Sequence, residues 1–247
     1  KTVSFEYELN MPEGINYYEA RVRLLAKKSQ MMVIIRDISE PHRSAELIRR
    51  QAHFDSLTAL PNRFLSLDRL SQILMEVQKN HVKAAVFFLD LDDFKKVNDS
   101  LGHEVGDKLL IEAAHRLQQA LKKNDTVGRL GGDEFIVLIS SLDDESDALV
   151  IADRLLKAFR KPFKLEGRDL ILTLSIGIAI SPKDGTSASV LLRNADTAMY
   201  QAKALGRNTS SFFTPQMNVA MRRRFEIEEQ MHGALERNEF ELYYQPQ

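Results

Sequence analysis

Ala84-Ala85-Val86-Phe87-Phe88-Leu89-Asp90-Leu91 is an apolar run of strand length, and two further acids, Asp92 and Asp93, follow it directly. Such a run, without polar alternation, is typical of a strand that is buried on both faces of a sheet. Apolar stripes at helical spacing predict helices on either side of it, over Pro61–Val77 and Val105–Leu121. We therefore expect a central strand between helices.

The same pattern continues along the chain. The stripe of the first helix consists of Phe64, Leu67, Leu70, Ile73 and Leu74. Further strands are predicted at Thr126–Leu130, Phe135–Ser140 and Leu170–Ile180, and further helices at Asp147–Phe159 and Ser187–Ala204. Helices and strands interleave from residue 61 to residue 213, which favours one α/β or α+β domain of about 160 residues.

The first 38 residues have a different pattern. Short strands are predicted at Phe5–Leu9, Tyr17–Leu25 and Met31–Ile35, with turns at Pro12-Glu13-Gly14 and Lys27–Gln30. Three such strands cannot bury a core alone, so we expect them either to be the end of something larger or to pack on a neighbour. Strand-like sequence at both ends of the chain also suggests a piece of a longer protein.

Helices are predicted on both sides of the central domain. Ser39 is a candidate N-cap with Pro41 in the first turn, and Leu47 and Ile48 lie near Phe54 on one stripe. This is typical of an exposed connecting helix; a two-chain coiled coil is also open, although sustained heptads are missing. At the other end, a helix over Asn218–Arg237 leads to strand-like Phe240–Tyr244.

Composition excludes several classes of function. The net charge is −1, so no global positive field favours nucleic acid or an anionic membrane, and an anionic ligand needs a local site. The absence of cysteine excludes disulfides, thiolate zinc sites and cysteine nucleophiles. No two of the six histidines have helical zinc spacing. The longest apolar run, Ile171–Ile180, is too short to span a bilayer.

Acidic side chains collect at the end of the central strand. Asp90 and Asp92 point to the same side if strand geometry persists. The end of a strand is a common position for a ligand crevice. Alternatively, Asp92 or Asp93 simply caps the helix that follows.

A second acidic group follows two glycines. Gly131-Gly132 can form a tight two-residue turn, with Asp133 and Glu134 at its edge. An exposed hairpin tip with solvated charges is the alternative. If Asp90 and Asp133 converge, they form a hard oxygen site that suits Mg²⁺ or Mn²⁺, because close carboxylates require a cation.

Other polar residues suit a nucleotide. Lys95 follows within a turn of Asp92, and Lys203 and Arg207 flank Gly206 at a helix end, where they can hold phosphate or simply be a surface pair. Asn98 and Asp107 carry amide and carboxylate groups that can hydrogen-bond the edge of a purine. Alternatively, Asn98 is a helix cap and Asp107 is a solvated helix residue.

Four ordered motifs resemble the GGDEF family of diguanylate cyclases over about residues 51–214. They are Asp55-Ser56-Leu57-Thr58-Ala59-Leu60-Pro61-Asn62-Arg63; Asp90-Leu91-Asp92-Asp93-Phe94-Lys95-Lys96-Val97-Asn98-Asp99 with Gly102-His103 and Gly106-Asp107; Gly131-Gly132-Asp133-Glu134-Phe135; and Ala195-Asp196 with Tyr200-Gln201-Ala202-Lys203 and Gly206-Arg207-Asn208.

The resemblance implies a fold and a reaction. The fold is a central mixed sheet flanked by helices, similar to the palm of nucleotidyl cyclases and polymerases. The reaction condenses two GTP into cyclic di-GMP and releases two pyrophosphates. Each domain of a homodimer holds one GTP, so catalysis requires two copies of the domain.

The resemblance also implies residue roles. Metal ligands are the side chains of Asp90 and Asp133 and the carbonyl of Leu91, with support from Glu134; the metal is Mg²⁺ or Mn²⁺. Asp133 is the candidate base for the 3′-hydroxyl. The remaining roles are guanine binding by Asn98 and Asp107, proximity of His103 to the nucleotide, and neutralisation of phosphate charge by Lys95, Lys203 and Arg207.

One stretch departs from the family pattern. Members with product inhibition carry Arg-x-x-Asp shortly before the hairpin, whereas this chain has Lys122-Lys123-Asn124-Asp125. Lysine cannot make the planar bidentate contact of arginine with guanine or phosphate. We therefore predict weak or absent product inhibition.

The flanks carry resemblances of their own. Residues 1–39 look like the last strands of a PAS sensor domain, 40–54 like a connecting signalling helix, and 215–247 like a linker helix and the start of an EAL phosphodiesterase domain, with 55–214 as the cyclase domain. This order suggests a cytoplasmic fragment of a longer, bacterial-type signalling protein. An active cyclase is the leading hypothesis; a silent GTP sensor that controls an EAL domain and a dimerising spacer are the alternatives.

Overall fold

The computed structural model describes residues 2–12, 14–25, 30–234, 236–237 and 239–244. The chain forms two compact units, Lys1–Phe54 and Asp55–Gln247.

The first unit is an antiparallel meander followed by a helix. Its strands are β1 (Thr2–Met11), β2 (Gly14–Leu25) and β3 (Gln30–Asp37), paired in that order, and its helix is α1 (Ser39–His53). The strands contain the three predicted segments and are longer than predicted. Of the predicted turns, Glu13 and residues 27–29 lie outside the described residues.

Ser39 is not the N-cap of α1, contrary to the sequence prediction. The N-cap is Ile38, and the Ser39 hydroxyl oxygen accepts a hydrogen bond from the Tyr17 N–H at 2.8 Å. Pairing of β2 with β3 ends at Tyr18 and Asp37, so the backbone of Tyr17 lies just beyond the ladder. The serine hydroxyl therefore pairs with a backbone N–H that has no partner in the β2–β3 ladder. Pro41 lies in the first turn, as expected.

The second unit contains a five-stranded mixed sheet. Its strands are β4 (Lys83–Leu91), β5 (Thr126–Gly131), β6 (Glu134–Leu142), β9 (Leu174–Ser181) and β10 (Ser210–Phe212), in the spatial order β10-β9-β4-β6-β5. The central strand β4 is antiparallel to both neighbours, and β10 is parallel to β9. A short separate hairpin joins β7 (Phe163–Leu165) to β8 (Arg168–Leu170).

Helices cover both faces of this sheet. They are α2 (Arg63–Asn80), α3 (Phe94–Leu101), α4 (His103–Gln119), α5 (Glu145–Phe159), α6 (Ala188–Ala204) and α7 (Pro215–Met231). Phe87 and Leu89 belong to a core with α4 and α5, whereas Val86 and Phe88 belong to a core with α2 and α6. The predicted mixed sheet between helices, with a central strand buried on both faces, is confirmed.

Several element predictions were wrong in detail. The helix predicted from Pro61 begins at Arg63, because the Asn62 side chain caps it by accepting from the Leu65 N–H. Phe64, expected on the buried stripe, is 64% exposed. The helix predicted from Val105 begins at His103. The helix α3 before it was given no bounds and was considered only as one that Asp92 or Asp93 could cap.

The C-terminal predictions also need correction. The strand expected over Leu170–Ile180 is two elements, since residues 168–170 pair locally in β8 and β9 begins at Leu174. The last helix ends at Met231. The segment Phe240–Tyr244 is not a strand, and its side chains are exposed. Within the described residues, no helix combines the length and apolar character needed to cross a bilayer.

Candidate active site

The hairpin between β5 and β6 presents two acids at the edge of the sheet. Gly131 pairs with Glu134, so the two turn residues are Gly132 and Asp133 rather than the predicted two glycines. Both glycines have positive φ, 146° at Gly131 and 51° at Gly132, and the space beside each is open. Backbone conformation therefore requires these glycines, and a bulky ligand can approach them.

An arginine braces this turn. Arg129 donates through Nε and Nη2 to the Gly132 carbonyl at 3.0 and 2.8 Å, and through Nη1 to the Asp55 carboxylate at 2.9 and 3.1 Å. Burial raises the pKa of Asp55, but hydrogen bonds from Thr58 and Arg129 outweigh it, so the pKa lies below its usual value. The charged pair thus fixes the carbonyl next to Asp133. Sequence reasoning assigned no role to either partner.

Three acidic residues lie where β4 ends. Asp90 is the register partner of Glu134, and the Leu91 N–H donates to the Asp133 carbonyl at 3.3 Å. Asp90 is 6% exposed, and burial raises its pKa to about 6; the charge of Asp133 adds to this effect, while Lys203 opposes it. Burial also raises the pKa of Glu134, together with the charges of Asp196 and Asp133. The site therefore concentrates negative charge that a cation would relieve.

The donor set fits Mg²⁺ or Mn²⁺ when phosphate and water complete the coordination. Across the described residues, no group of three or more His, Cys, Asp or Glu side chains is arranged to hold a metal alone. Mg²⁺ usually takes one or two carboxylates and obtains its other ligands from substrate phosphates and water. Asp90, Asp133 and the carbonyl of Leu91 would hold it here, with Glu134 adjacent.

Cationic side chains face these acids. Lys203 in α6 lies with Nζ 2.7 Å from Asp90 Oδ1. Arg207 follows α6, is exposed and has a φ of 65°. The pKa of Asp93 is lowered mainly by Lys96, and also by the charges of Arg207 and Lys203. The two predicted phosphate-binding cations therefore lie near the end of β4. Lys95 is exposed in the first turn of α3.

The predicted purine-reading residues lie on the adjoining helices. Asn98 in α3 has a buried Oδ1 without a hydrogen-bond partner. A Cβ added to Gly106 in α4 would lie 1.9 Å from that oxygen, so glycine leaves the space that the amide needs. His103 and Asp107 are exposed in α4. An unpaired buried acceptor is unusual in a folded protein.

The second acid after the strand has a different environment. Asp92 is 4% exposed, and its carboxylate accepts from Thr173 Oγ1, Ser175 Oγ and the Asn208 N–H. Asp93 is the N-cap residue of α3 but makes no side-chain cap bond. Sequence reasoning considered Asp92 as part of a ligand crevice or as a helix cap, and it missed these three partners.

The stretch that departs from the family pattern lines a pocket away from the hairpin. Lys122, Asp125 and Arg154 line a cavity of about 300 Å³. The Lys122 N–H donates to Asp125 Oδ2 at 2.8 Å, so the aspartate closes its own turn.

Comparison with known proteins identifies the family. Residues 52–209 match the diguanylate cyclase GGDEF domain. The chain is 38% identical over 226 residues to the cyclic di-GMP phosphodiesterase NbdA and 43% identical over 201 residues to the bifunctional diguanylate cyclase/cyclic di-GMP phosphodiesterase MucR, both from Pseudomonas aeruginosa. These matches cover 92% and 81% of this chain, but 28% and 29% of the relatives. The chain thus spans less than a third of their length.

A solved structure agrees with this assignment. The isolated GGDEF domain of TpbB from Pseudomonas aeruginosa superposes with a TM-score of 0.67 at 40% identity. The match covers 69% of this chain and 99% of that domain.

Proposed function

The chain belongs to the GGDEF diguanylate cyclase domain family, and on that premise we propose that it condenses two GTP into cyclic di-GMP and two pyrophosphates. One observation carries the proposal. The buried Asp90 is the register partner of Glu134, and its raised pKa reflects burial and the charge of the nearby Asp133. Such a site costs stability and suits a cationic cofactor with a phosphorylated substrate.

The catalytic roles proposed for the acids are those that the family resemblance implies. Asp90, Asp133 and the Leu91 carbonyl would hold Mg²⁺ or Mn²⁺, supported by Glu134. When bound, the metal lowers the pKa of the attacking 3′-hydroxyl and offsets charge on the leaving pyrophosphate. Asp133 accepts the proton of that hydroxyl. Because Arg129 fixes the neighbouring Gly132 carbonyl, Asp133 is held on a rigid turn.

The remaining residues bind the nucleotide. Asn98 and Asp107 hydrogen-bond guanine near His103. Lys95, Lys203 and Arg207 neutralise phosphate charge, which grows on the leaving group in the transition state. Lys203 contacts Asp90 at 2.7 Å while its side chain remains 30% exposed.

We also propose the assembly. One domain holds one GTP, and the 3′-hydroxyl of each substrate must reach the α-phosphate of the other. A homodimer supplies this opposed arrangement and the proximity. Residues 1–39 would belong to a PAS-like domain, 40–54 to a signalling helix, and 215–247 to the entry of an EAL-like domain.

Product formation tests the proposal. Wild type with GTP and Mg²⁺ is expected to form cyclic di-GMP and two equivalents of pyrophosphate, and Asp133→Ala to lose this activity. Asp169→Asn is the matched control, because Asp169 is an exposed acid in β8. A folded, dimeric wild type that yields no product would refute the proposal.

The resemblance to NbdA supports a second candidate. That relative is a phosphodiesterase by name, so this domain could bind GTP without turnover and regulate an attached EAL domain. GTP binding without product, together with GTP-dependent hydrolysis of cyclic di-GMP by the longer protein, would favour this candidate.

A further inference from the structure

Asp92 ties together three separate segments of the second unit. Its Oδ1 accepts from Ser175 Oγ at 2.7 Å, and its Oδ2 accepts from Thr173 Oγ1 at 2.7 Å and the Asn208 N–H at 3.0 Å. The first two bonds join the end of β4 to the start of β9. The third joins it to residues 205–208, which we call the α6–β10 loop.

This loop has an unfavourable backbone conformation. Gly206, Arg207 and Asn208 all have positive φ, at 111°, 65° and 48°. Residues with a Cβ rarely adopt this region, so two consecutive cases need support from outside the loop. The N–H groups of Leu205, Gly206 and Arg207 donate to carbonyls of α6, whereas that of Asn208 donates to Asp92. Asp92 therefore fastens the loop to the sheet.

The fastened loop carries Arg207. This arginine directly precedes Asn208, whose N–H is bonded to Asp92 one residue beyond the end of β4. Asp92 is 4% exposed and already accepts three hydrogen bonds. Protein donors thus occupy both of its oxygens, and the buried carboxylate is poorly placed to contact substrate or metal.

We propose that Asp92 is a positioning residue, which holds the α6–β10 loop in its left-handed conformation and thereby places the Arg207 guanidinium for the substrate phosphates. This role rests on the proposed function, in which Arg207 contacts phosphate. It is separate from the roles of Asp90 and Asp133, because Asp92 acts through its bond to Asn208.

The effect on phosphate recognition is measured by calorimetry with two probes. The first is 3′-deoxy-GTP with Mg²⁺, which lacks the attacking hydroxyl and cannot react; the second is guanosine, which reports the base site alone. Asp92→Ala and Arg207→Ala should each weaken 3′-deoxy-GTP binding about tenfold or more. Guanosine affinity should change less than twofold, and the double variant should be no weaker than Arg207→Ala alone.

Two further variants separate this role from general stability. Thr173→Val removes one bond to Asp92 but not the bond to the loop, so it should weaken 3′-deoxy-GTP binding less than about threefold. Asp92→Asn keeps the shape and an acceptor but loses the charge, so its affinity should lie between wild type and Asp92→Ala. If Asp92→Ala does not fold, Asp92→Asn takes its place as the test variant. Additive losses in the double variant, or an equal loss in Thr173→Val, would overturn the proposal.

Hydrogen exchange in the nucleotide-free protein tests the same link without substrate. The Asn208 amide should exchange about tenfold faster or more in Asp92→Ala, and by an intermediate factor in Asp92→Asn, while amides of β4 and β6 remain protected. Unchanged protection of Asn208 in these variants would overturn the positioning role. A wild type that binds no 3′-deoxy-GTP would instead refute the proposed function, and the exchange measurement would still decide the role of Asp92.

Discussion

Replacement of Asp90 by asparagine should stabilise the metal-free protein. The pKa of Asp90 rises from its usual 3.8 to about 6, chiefly because of burial and despite the ion pair with Lys203. Each pH unit corresponds to about 1.4 kcal/mol, so keeping this carboxylate ionised at pH 7 costs the folded protein about 3 kcal/mol. Asparagine has the shape of the neutral acid and avoids that cost.

The direction of the Asp90 pKa shift determines how the stability of the protein depends on pH. A raised pKa means that the folded state binds the proton more tightly than the unfolded state, so wild-type stability declines as pH rises from about 4 to about 6. The advantage of Asp90→Asn should be small at pH 4 and reach about 3 kcal/mol by pH 7. For a chain of this size, it corresponds to an increase in Tm of about 6–12 °C.

The assay is urea and thermal denaturation in EDTA at pH 4 and pH 7. Asp169→Asn, at an exposed site, controls for the loss of one acid. Equal stability of Asp90→Asn and wild type at pH 7, or the same gain at both pH values, would refute the reasoning. The gain should come with loss of cyclase activity, because a metal ligand is removed.

Three other changes have defined outcomes. Gly106→Ala places a methyl group 1.9 Å from Asn98 Oδ1, so GTP affinity should fall about tenfold in calorimetry; unchanged affinity would contradict a role of this amide in binding. Arg129→Lys removes the forked contact with Asp55 and the Gly132 carbonyl, and urea denaturation should show a loss of about 1–3 kcal/mol. Because the pKa of Asp55 is lowered, that difference should be full above pH 3.8 and shrink as pH falls further. Wild type should bind cyclic di-GMP weakly with Lys122 in place of arginine, and tight binding that Lys122→Ala abolishes would contradict this expectation.

The fold could be predicted wherever the pattern is local. The strand β4 was predicted because eight consecutive residues carry its signal, and its burial on both faces follows from the helices around it. Prediction failed where an apolar run crosses an element boundary, as at Leu170, which pairs with Phe163 in the small hairpin. It also failed at Phe64, since spacing along a helix does not reveal which residues the neighbouring elements cover.

The candidate site was only partly visible for the same reason. Motif residues such as Asp90 and Asp133 can be named from their order along the chain. Their supports are contacts between distant segments: Asp55 and Arg129 are 74 residues apart, and Asp92 and Asn208 are 116 apart. No local periodicity in the sequence encodes such pairs. Only the folded chain shows that Asp55 and Asp92 support other residues through hydrogen bonds.

The Asp55–Arg129 pair has a practical consequence for shortened versions of the domain. A recombinant chain that starts at Leu57 would retain all strands of the central sheet and all residues proposed to contact substrate. It would nevertheless lack the carboxylate that holds Arg129, so the turn with Asp133 would be less well fixed. Such a fragment would be a poor reference for catalytic rates, and the minimal active unit should begin at or before Asp55.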